Sequence, residues 1–186
     1  MWNGERQDNY DIYVQLVGET TPRRLTNDPA FDFSPVWSSD GLHIAFIRET
    51  PEGMEIRSVS LAGTERLLYK KKTMIRSEAW FGLRQLARPI SGLAWSPDGR
   101  FPAMVDREPP QSPRSIFLLD IGTGERRKLT TPPAGWAGDG LSAFSPDGLS
   151  LAFARTRFGW PSDIYVQALS ENGELRGSPD RLRRTG

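Results

Sequence analysis

One turn motif recurs three times along the chain and constrains its fold more than any other feature. The copies are Trp37-Ser38-Ser39-Asp40-Gly41, Trp95-Ser96-Pro97-Asp98-Gly99 and Phe144-Ser145-Pro146-Asp147-Gly148. Each copy lies between two short apolar runs, so its aspartate and glycine predict a tight hairpin turn, with the glycine at positive φ. A motif that returns with an aromatic residue before it indicates a structural repeat.

Each copy belongs to a unit of four short antiparallel strands, named A to D in chain order. Strand C of the last unit, Asp163-Ile164-Tyr165-Val166-Gln167, repeats Asp11-Ile12-Tyr13-Val14-Gln15 residue for residue. Four strands within about 40 to 50 residues are typical of a β-propeller blade. After a leading hairpin of Asp11–Leu16 and Arg24–Thr26, the predicted strands are Phe33–Trp37, His43–Ile47, Glu55–Ser60 and Glu65–Tyr69; then Ile90–Trp95, Phe101–Val105, Ser115–Asp120 and Arg126–Thr130; then Leu141–Phe144, Leu151–Ala154, Asp163–Leu169 and a last strand around Arg181 to Arg184.

The fold class predicted is therefore all-β, a partial β-propeller of four-stranded antiparallel blades forming a single domain over residues 1–186. It divides into a half-blade (1–30), a blade (31–69), an insertion (70–89), a blade (90–130) and a final blade (141–186). A short helical turn is predicted only within Thr73 to Leu86. Since a closed propeller needs about four to eight blades, we expect the chain to be an open fragment of a ring.

Composition excludes several classes of function. The 24 basic and 23 acidic residues give a net charge of +1, which offers no electrostatic reason to expect nucleic acid or an anionic membrane. The chain has no cysteine, which rules out disulfides and leaves the cellular compartment open. No apolar run approaches the roughly 18 residues of a membrane span. Residues 1–5 lack the basic and apolar regions of a signal peptide.

Residues for catalysis or metal binding are scarce. His43 is the one histidine, and no Gly-x-Ser-x-Gly elbow accompanies it, so we interpret it as a surface residue of strand B and predict no enzyme. Zinc needs several histidines or cysteines. The sequence predicts no cofactor and no metal: Asp40, Asp98 and Asp147 are expected to bond their own turns rather than calcium, and Gly122-Thr123-Gly124 to form a hairpin turn.

The loops between strands B and C and between D and A share one end of the blades and carry nearly all the variation in loop length. Aromatic side chains concentrate there, whereas Trp37 and Trp95 belong to strand A and are predicted to be core. Variable loops on a rigid scaffold often carry function, and aromatic residues often anchor interfaces. The alternative is that these rings fold back onto the blades. The candidate partner-binding residues are Trp80, Phe81, Trp136, Phe158 and Trp160, with Trp2 and Phe31 also in these loops.

Two basic features have two interpretations each. Lys70-Lys71-Lys72 is either a solvated loop segment or a contact for a partner. Arg181, Arg183 and Arg184 either protect the last, exposed strand from pairing with another chain or bind something.

The repeat resembles that of the TolB-like β-propellers, relatives of the WD-repeat blades. The resemblance rests on Ser34 to Gly41 with Ile44-Ala45-Phe46, on the two later copies of the motif, and on the hairpin from Asp11 to Thr26. It departs at Pro102, where proline replaces the usual aliphatic residue. Family members include the periplasmic TolB protein, the non-catalytic propellers of prolyl-oligopeptidase-type peptidases, and the C-terminal parts of bacterial kinases and regulators, so the resemblance implies a fold and leaves the function open.

These observations favour a non-enzymatic protein–protein interaction module, a propeller segment of a larger, bacterial protein that binds another protein or domain through its loop-rich face. The first alternative is the gating propeller of a prolyl-oligopeptidase-type serine peptidase whose catalytic domain lies outside this chain. A second is a propeller that binds a small ligand or sugar, which requires polar groups converging on a central channel. Self-association that completes a ring is also expected, because an open fragment exposes strand edges and apolar blade surfaces.

Overall fold

A computed structural model describes residues 10–72, 92–157 and 162–182. These residues form strands joined by turns and loops, with no helix among them; the helical turn predicted within Thr73 to Leu86 lies outside them. The strands are β1 (Tyr13–Val14), β2 (Arg23–Arg24), β3 (Phe31–Trp37), β4 (His43–Thr50), β5 (Gly53–Ser60), β6 (Glu65–Lys72), β7 (Ala94–Trp95), β8 (Pro102–Asp106), β9 (Ser115–Leu119), β10 (Arg126–Lys128), β11 (Trp136–Phe144), β12 (Ser150–Arg157), β13 (Ser162–Leu169) and β14 (Leu175–Arg181).

The strands form four antiparallel sheets in chain order, which confirms the all-β fold and the predicted succession of strands A to D. We name them the half-blade (β1–β2), blade 1 (β3–β6), blade 2 (β7–β10) and blade 3 (β11–β14). Contacts divide the chain into two compact units. The first unit contains the half-blade and blade 1, and the second contains blades 2 and 3.

The three motif turns have the predicted backbone. Gly41, Gly99 and Gly148 have φ values of 69°, 74° and 73°, in the left-handed region that glycine adopts without steric cost. In the second of these turns Ser96 Oγ accepts a hydrogen bond from the Phe101 backbone N–H at 2.9 Å, and an Asp98 oxygen accepts one from the Arg100 N–H at 3.0 Å. The turn therefore satisfies its own polar groups.

The two units contain the same interface between successive sheets. In the first, Ile12 and Leu25 of the half-blade pack on Ile44, Phe46 and Val59 of blade 1. In the second unit, the corresponding residues of blade 2 pack on those of blade 3. The second interface contains Ile116, Leu129, Leu151 and Phe153.

A hydrogen bond at the start of strand C is the same in both units and shows how closely the two interfaces correspond. The Ile12 N–H donates to Thr26 Oγ1 at 3.0 Å, and the Ile116 N–H donates to Thr130 Oγ1 at 2.9 Å. The two donor–acceptor pairs have the same sequence separation, and both threonines are buried. Each threonine thus ties the loop after a D strand to the C strand beside it.

A buried ion pair also repeats. In blade 1 the Arg48 guanidinium contacts both carboxylate oxygens of Asp32 at 2.7 Å. In blade 3 Arg155 contacts the two oxygens of Asp139 at 2.7 and 3.0 Å. Burial alone would lower the pKa of Arg48, but its hydrogen bonds to Asp32 and Glu65 outweigh burial and raise the pKa. Each pair links strand A to strand B across the sheet.

Strand A contains a bulge that overturns one prediction. An extra residue is inserted between Phe33 and Val36, and Ser34 has a φ of 55°. The bulge interrupts the alternation of faces, and Trp37, which was predicted to be core, is 49% exposed. Trp95 is partly buried, and its indole Nε1–H donates to the Gly99 carbonyl at 2.9 Å.

Several strand boundaries also differ from the prediction. Phe31 and Lys70-Lys71-Lys72, which were predicted to lie in loops, belong to β3 and β6. The last strand is β14 rather than a strand around Arg181 to Arg184, because a bulge opposite Gln167 leaves Pro179 outside the ladder of an edge strand, where proline is tolerated. Strands β4 and β5 are both longer than predicted, so that a tight two-residue turn joins them. Strand A of the last unit, predicted to begin at Leu141, begins at Trp136 as β11.

Candidate functional site

The candidate site lies at the loop-rich end of the second unit. Of the five aromatic residues predicted to bind a partner, only Trp136 is described; Trp80, Phe81, Phe158 and Trp160 lie outside the described residues. Trp136 begins β11 and is paired in register with Arg157, which ends β12. The side chains of both residues thus stand on strand ends rather than on a loop.

The Arg157 guanidinium lies over the Trp136 ring, with its carbon 4.5 Å from the ring centre. At this distance a cation and an indole face attract each other, worth about 0.5–1 kcal/mol at an exposed site. Arg157 is exposed and Trp136 is partly buried. The pair therefore presents a positive charge to solvent, held against the face of the Trp136 indole ring.

Arg114 is held beside this pair through its backbone. The Arg114 N–H donates to the Ala137 carbonyl at 3.2 Å, and its own carbonyl accepts from the Asp139 N–H at 2.8 Å. Gly138 lies between these two bonds with a φ of 113°, and a Cβ there would lie 2.3 Å from the Arg114 backbone nitrogen. Only glycine fits, so the loop that precedes β9 is clamped onto the start of β11.

Charge at this end of the unit is unevenly paired. Asp106 and Glu108 both bind Arg126, whose guanidinium also lies 4.3 Å from the centre of the Phe117 ring. No carboxylate among the described residues pairs with Arg114 or Arg157. Burial, and then the positive charge of Arg107, lower the pKa of Arg114.

Arg107 lies in the same loop, where its guanidinium donates to the Ser112 carbonyl at 3.1 Å. We call Arg107, Arg114, Trp136 and Arg157 the basic–aromatic patch. Its chemistry suits a carboxylate or a negatively charged peptide segment, because guanidinium groups bind carboxylates through charge-assisted hydrogen bonds.

The opposite end of the second unit has a different character. The two motif turns there are short, and their aspartates accept hydrogen bonds within the turn. The Ser145 hydroxyl, and then the Leu149 N–H, lower the pKa of Asp147 by bonding its carboxylate. These groups are already satisfied and offer little to a partner.

His43 is exposed at the start of β4, as predicted. Among residues 10–72, 92–157 and 162–182, no three histidine, cysteine or acidic side chains are grouped so that they could hold a metal ion. In the same part of the chain no helix has the length and apolar character of a membrane span.

Sequence reasoning identified Trp136 but missed the arginines around it. Arg157 is found only through its register with Trp136, and Arg114 only through its approach to Gly138. Strict alternation along β12 could have placed Arg157 on the same face as Arg155, since the two residues are two positions apart.

No family model matches the chain, and no curated protein matches it in sequence. Solved structures do match it. TolB from Acinetobacter baumannii superposes with a TM-score of 0.64 at 20% identity, over 89% of this chain and 35% of that protein. A TolB from Agrobacterium tumefaciens gives 0.62 at 21% identity, over 93% of this chain and 56% of the other.

A prolyl endopeptidase also matches, with a TM-score of 0.64 at 18% identity over 98% of this chain and 26% of the peptidase. The chain thus spans between about a quarter and just over half the length of these three proteins. At such identities the likeness concerns the fold alone. Together with the four-stranded antiparallel sheets, it shows that the chain has the fold of a partial β-propeller, like the parts of the TolB structures on which it superposes.

Proposed function

We propose that this chain is a non-enzymatic protein–protein interaction module that binds an acidic segment of another protein through the loop-rich end of its second unit. The observation that carries the proposal is the exposed Arg157 guanidinium, stacked 4.5 Å from the Trp136 ring beside the half-buried Arg114. Arginine and tryptophan are among the residues that most often dominate binding energy at interfaces. A stacked guanidinium has also lost part of its side-chain freedom before a partner arrives, which lowers the entropic cost of binding.

The scaffold supports this role. Trp136 and Arg157 are on strands of one sheet, and the bonds from Arg114 to Ala137 and Asp139 fix the neighbouring loop. Residues presented from strand ends are positioned more rigidly than residues on free loops. Asp106 and Glu108 both form ion pairs with Arg126.

The test is a titration of the full chain with a fluorescently labelled oligoglutamate peptide, followed by anisotropy. Arg157→Glu is expected to weaken binding by about tenfold or more, since it replaces an attraction with a repulsion. Trp136→Ala should weaken binding less, because it removes the indole ring beneath the guanidinium but leaves the positive charge of Arg157.

Arg100→Glu is the matched control, since Arg100 is exposed, lies 4.8 Å from the Phe101 ring, and stands in a motif turn at the opposite end of the unit. Its substitution changes the net charge equally and should leave binding unchanged. Equal losses in the Arg157 and Arg100 variants would mean that only net charge matters, and the proposal would fail.

The alternative, a propeller that gates a serine peptidase, is favoured by the likeness to the prolyl endopeptidase over 98% of this chain. The sequence of the whole gene would distinguish the two functions. An α/β-hydrolase sequence in the same reading frame supports the peptidase, whereas a kinase or winged-helix sequence supports a regulatory interaction module.

A further inference from the structure

One pentapeptide occurs twice in this chain with opposite faces buried. In the half-blade the side chain of Ile12 is 3% exposed, whereas its copy in blade 3, Ile164, is 46% exposed. The glutamines show the reverse, since Gln15 is exposed and Gln167 is 2% exposed. For the isoleucines the difference comes from which face of the strand a neighbouring sheet covers. Gln167 is also held within its own sheet, because its Nε2 donates to the carbonyls of Arg176 and Gly177 at the bulge in β14.

We use two names for these faces. The trailing face packs on the next sheet in the chain, and it contains Ile12 and Val14 in the half-blade. The leading face packs on the preceding sheet, and it contains Tyr165 and Gln167 in blade 3. Successive side chains along a strand alternate between the two.

The trailing face of blade 3 has the same kinds of residues as the trailing face of blade 2, which another sheet covers. In blade 2 the equivalent positions, Ile116 and Leu118, are 0% and 2% exposed because the leading face of blade 3 packs on them. Blade 3 has Ile164 and Val166 at these positions, in register with Ala154 and Ala152 of β12. Ile164 is exposed, Val166 and Ala152 are partly buried and Ala154 is buried. The trailing face of blade 3 therefore presents an apolar surface centred on Ile164, at a position whose counterpart one blade earlier is fully buried.

The chain also contains an exposed surface of the kind that covers such a face. Tyr165 packs against the cluster that includes Ile116 and Leu118, and Gln167 lies beside it on β13. Their sequence copies in the half-blade are Tyr13, which is 53% exposed, and Gln15. The half-blade thus has an exposed tyrosine, Tyr13, where blade 3 has the tyrosine that packs on blade 2.

We propose that a second copy of this chain docks head to tail, with the leading face of its half-blade against the trailing face of blade 3. The contact continues the interface that already joins successive sheets in both units. It is heterologous, because different surfaces of the two copies meet, so it produces rings or open chains of copies rather than a symmetric pair. The half-blade has only two strands, so the association is weaker than packing between two full blades.

The test is sedimentation of the full chain over a range of concentrations. The wild type is expected to associate with rising concentration. Ile164→Asp disrupts the trailing face of blade 3, and Tyr13→Asp disrupts the leading face of the half-blade. Each substitution alone should weaken association by about tenfold or more, since an unpaired charge would be buried in the contact. Leu42→Asp is the control, because Leu42 is 58% exposed and lies on neither face.

The decisive experiment mixes the Ile164→Asp and Tyr13→Asp variants. Each retains the surface that the other lacks, so an equimolar mixture should associate although neither variant does so alone. Circular dichroism checks that both are folded, and Ile164→Thr, which keeps the β-branched side chain, replaces Ile164→Asp if that variant unfolds. A wild type that stays monomeric, association that neither substitution weakens, or a mixture that fails to associate would each overturn the proposal.

Discussion

At the scale of single residues, glycine determines where the backbone can turn and where two segments can touch. The motif predicted that Gly99 has a positive φ, because a proline and an aspartate precede it within the turn. No local pattern could predict the role of Gly138, since it depends on the backbone of Arg114, which lies far along the chain. The sequence thus reveals glycines that serve local turns and conceals those that serve tertiary contacts.

Gly99→Ala is expected to lower the free energy of unfolding by about 1 kcal/mol, because alanine resists the left-handed backbone that the turn requires. Gly92→Ala is the control: the φ of Gly92 is not in the left-handed region, and nothing lies within 4 Å of its added Cβ. Urea unfolding of the two variants checks this. If both changed stability equally, the turn conformation would not be the cause.

At the scale of strands, the repeated spacing of turns and apolar runs gave the succession of A to D strands. The bulges were not predicted, because the strands were taken to alternate without interruption. In blade 1 the extra residue lies between Phe33 and Val36, and the exposure of Trp37 was missed for this reason. The ion pairs left a detectable signal, since Asp32 with Arg48 and Asp139 with Arg155 have the same separation. Their burial becomes evident only when the sheets pack.

Asp139→Leu is expected to destabilise the chain by about 3–5 kcal/mol, because it leaves the Arg155 guanidinium buried without a counterion. The double variant Asp139→Leu/Arg155→Leu should be clearly more stable than the single one, since it removes the unpaired charge. Urea unfolding measures both.

The pair between Arg181 and Asp163 provides the comparison, because the Arg181 side chain is exposed and Asp163 is only partly buried. Breaking it with Asp163→Ala should cost no more than about 1 kcal/mol. A double variant at Asp139 and Arg155 that is no more stable than Asp139→Leu would show that the buried charge is not what makes the single change costly.

At the scale of the whole molecule, the fold was predictable because the same physical pattern recurs several times, and each copy supports the others. The candidate site was predictable only in part. Loop length and aromatic content drew attention to Trp136, but the basic–aromatic patch around it arises from the register of β11 with β12 and from the clamp at Gly138. A partner surface assembled from residues far apart in sequence has no local motif.

We propose above all that the loop-rich end of the second unit, rather than the end with the motif turns, binds a partner. The most direct test is to record the backbone amide resonances of the labelled chain during titration with the oligoglutamate peptide. We expect shifts at Arg107, Arg114, Trp136 and Arg157, with the turn from Ser96 to Arg100 unchanged. Shifts centred on that turn, with the patch unchanged, would contradict it.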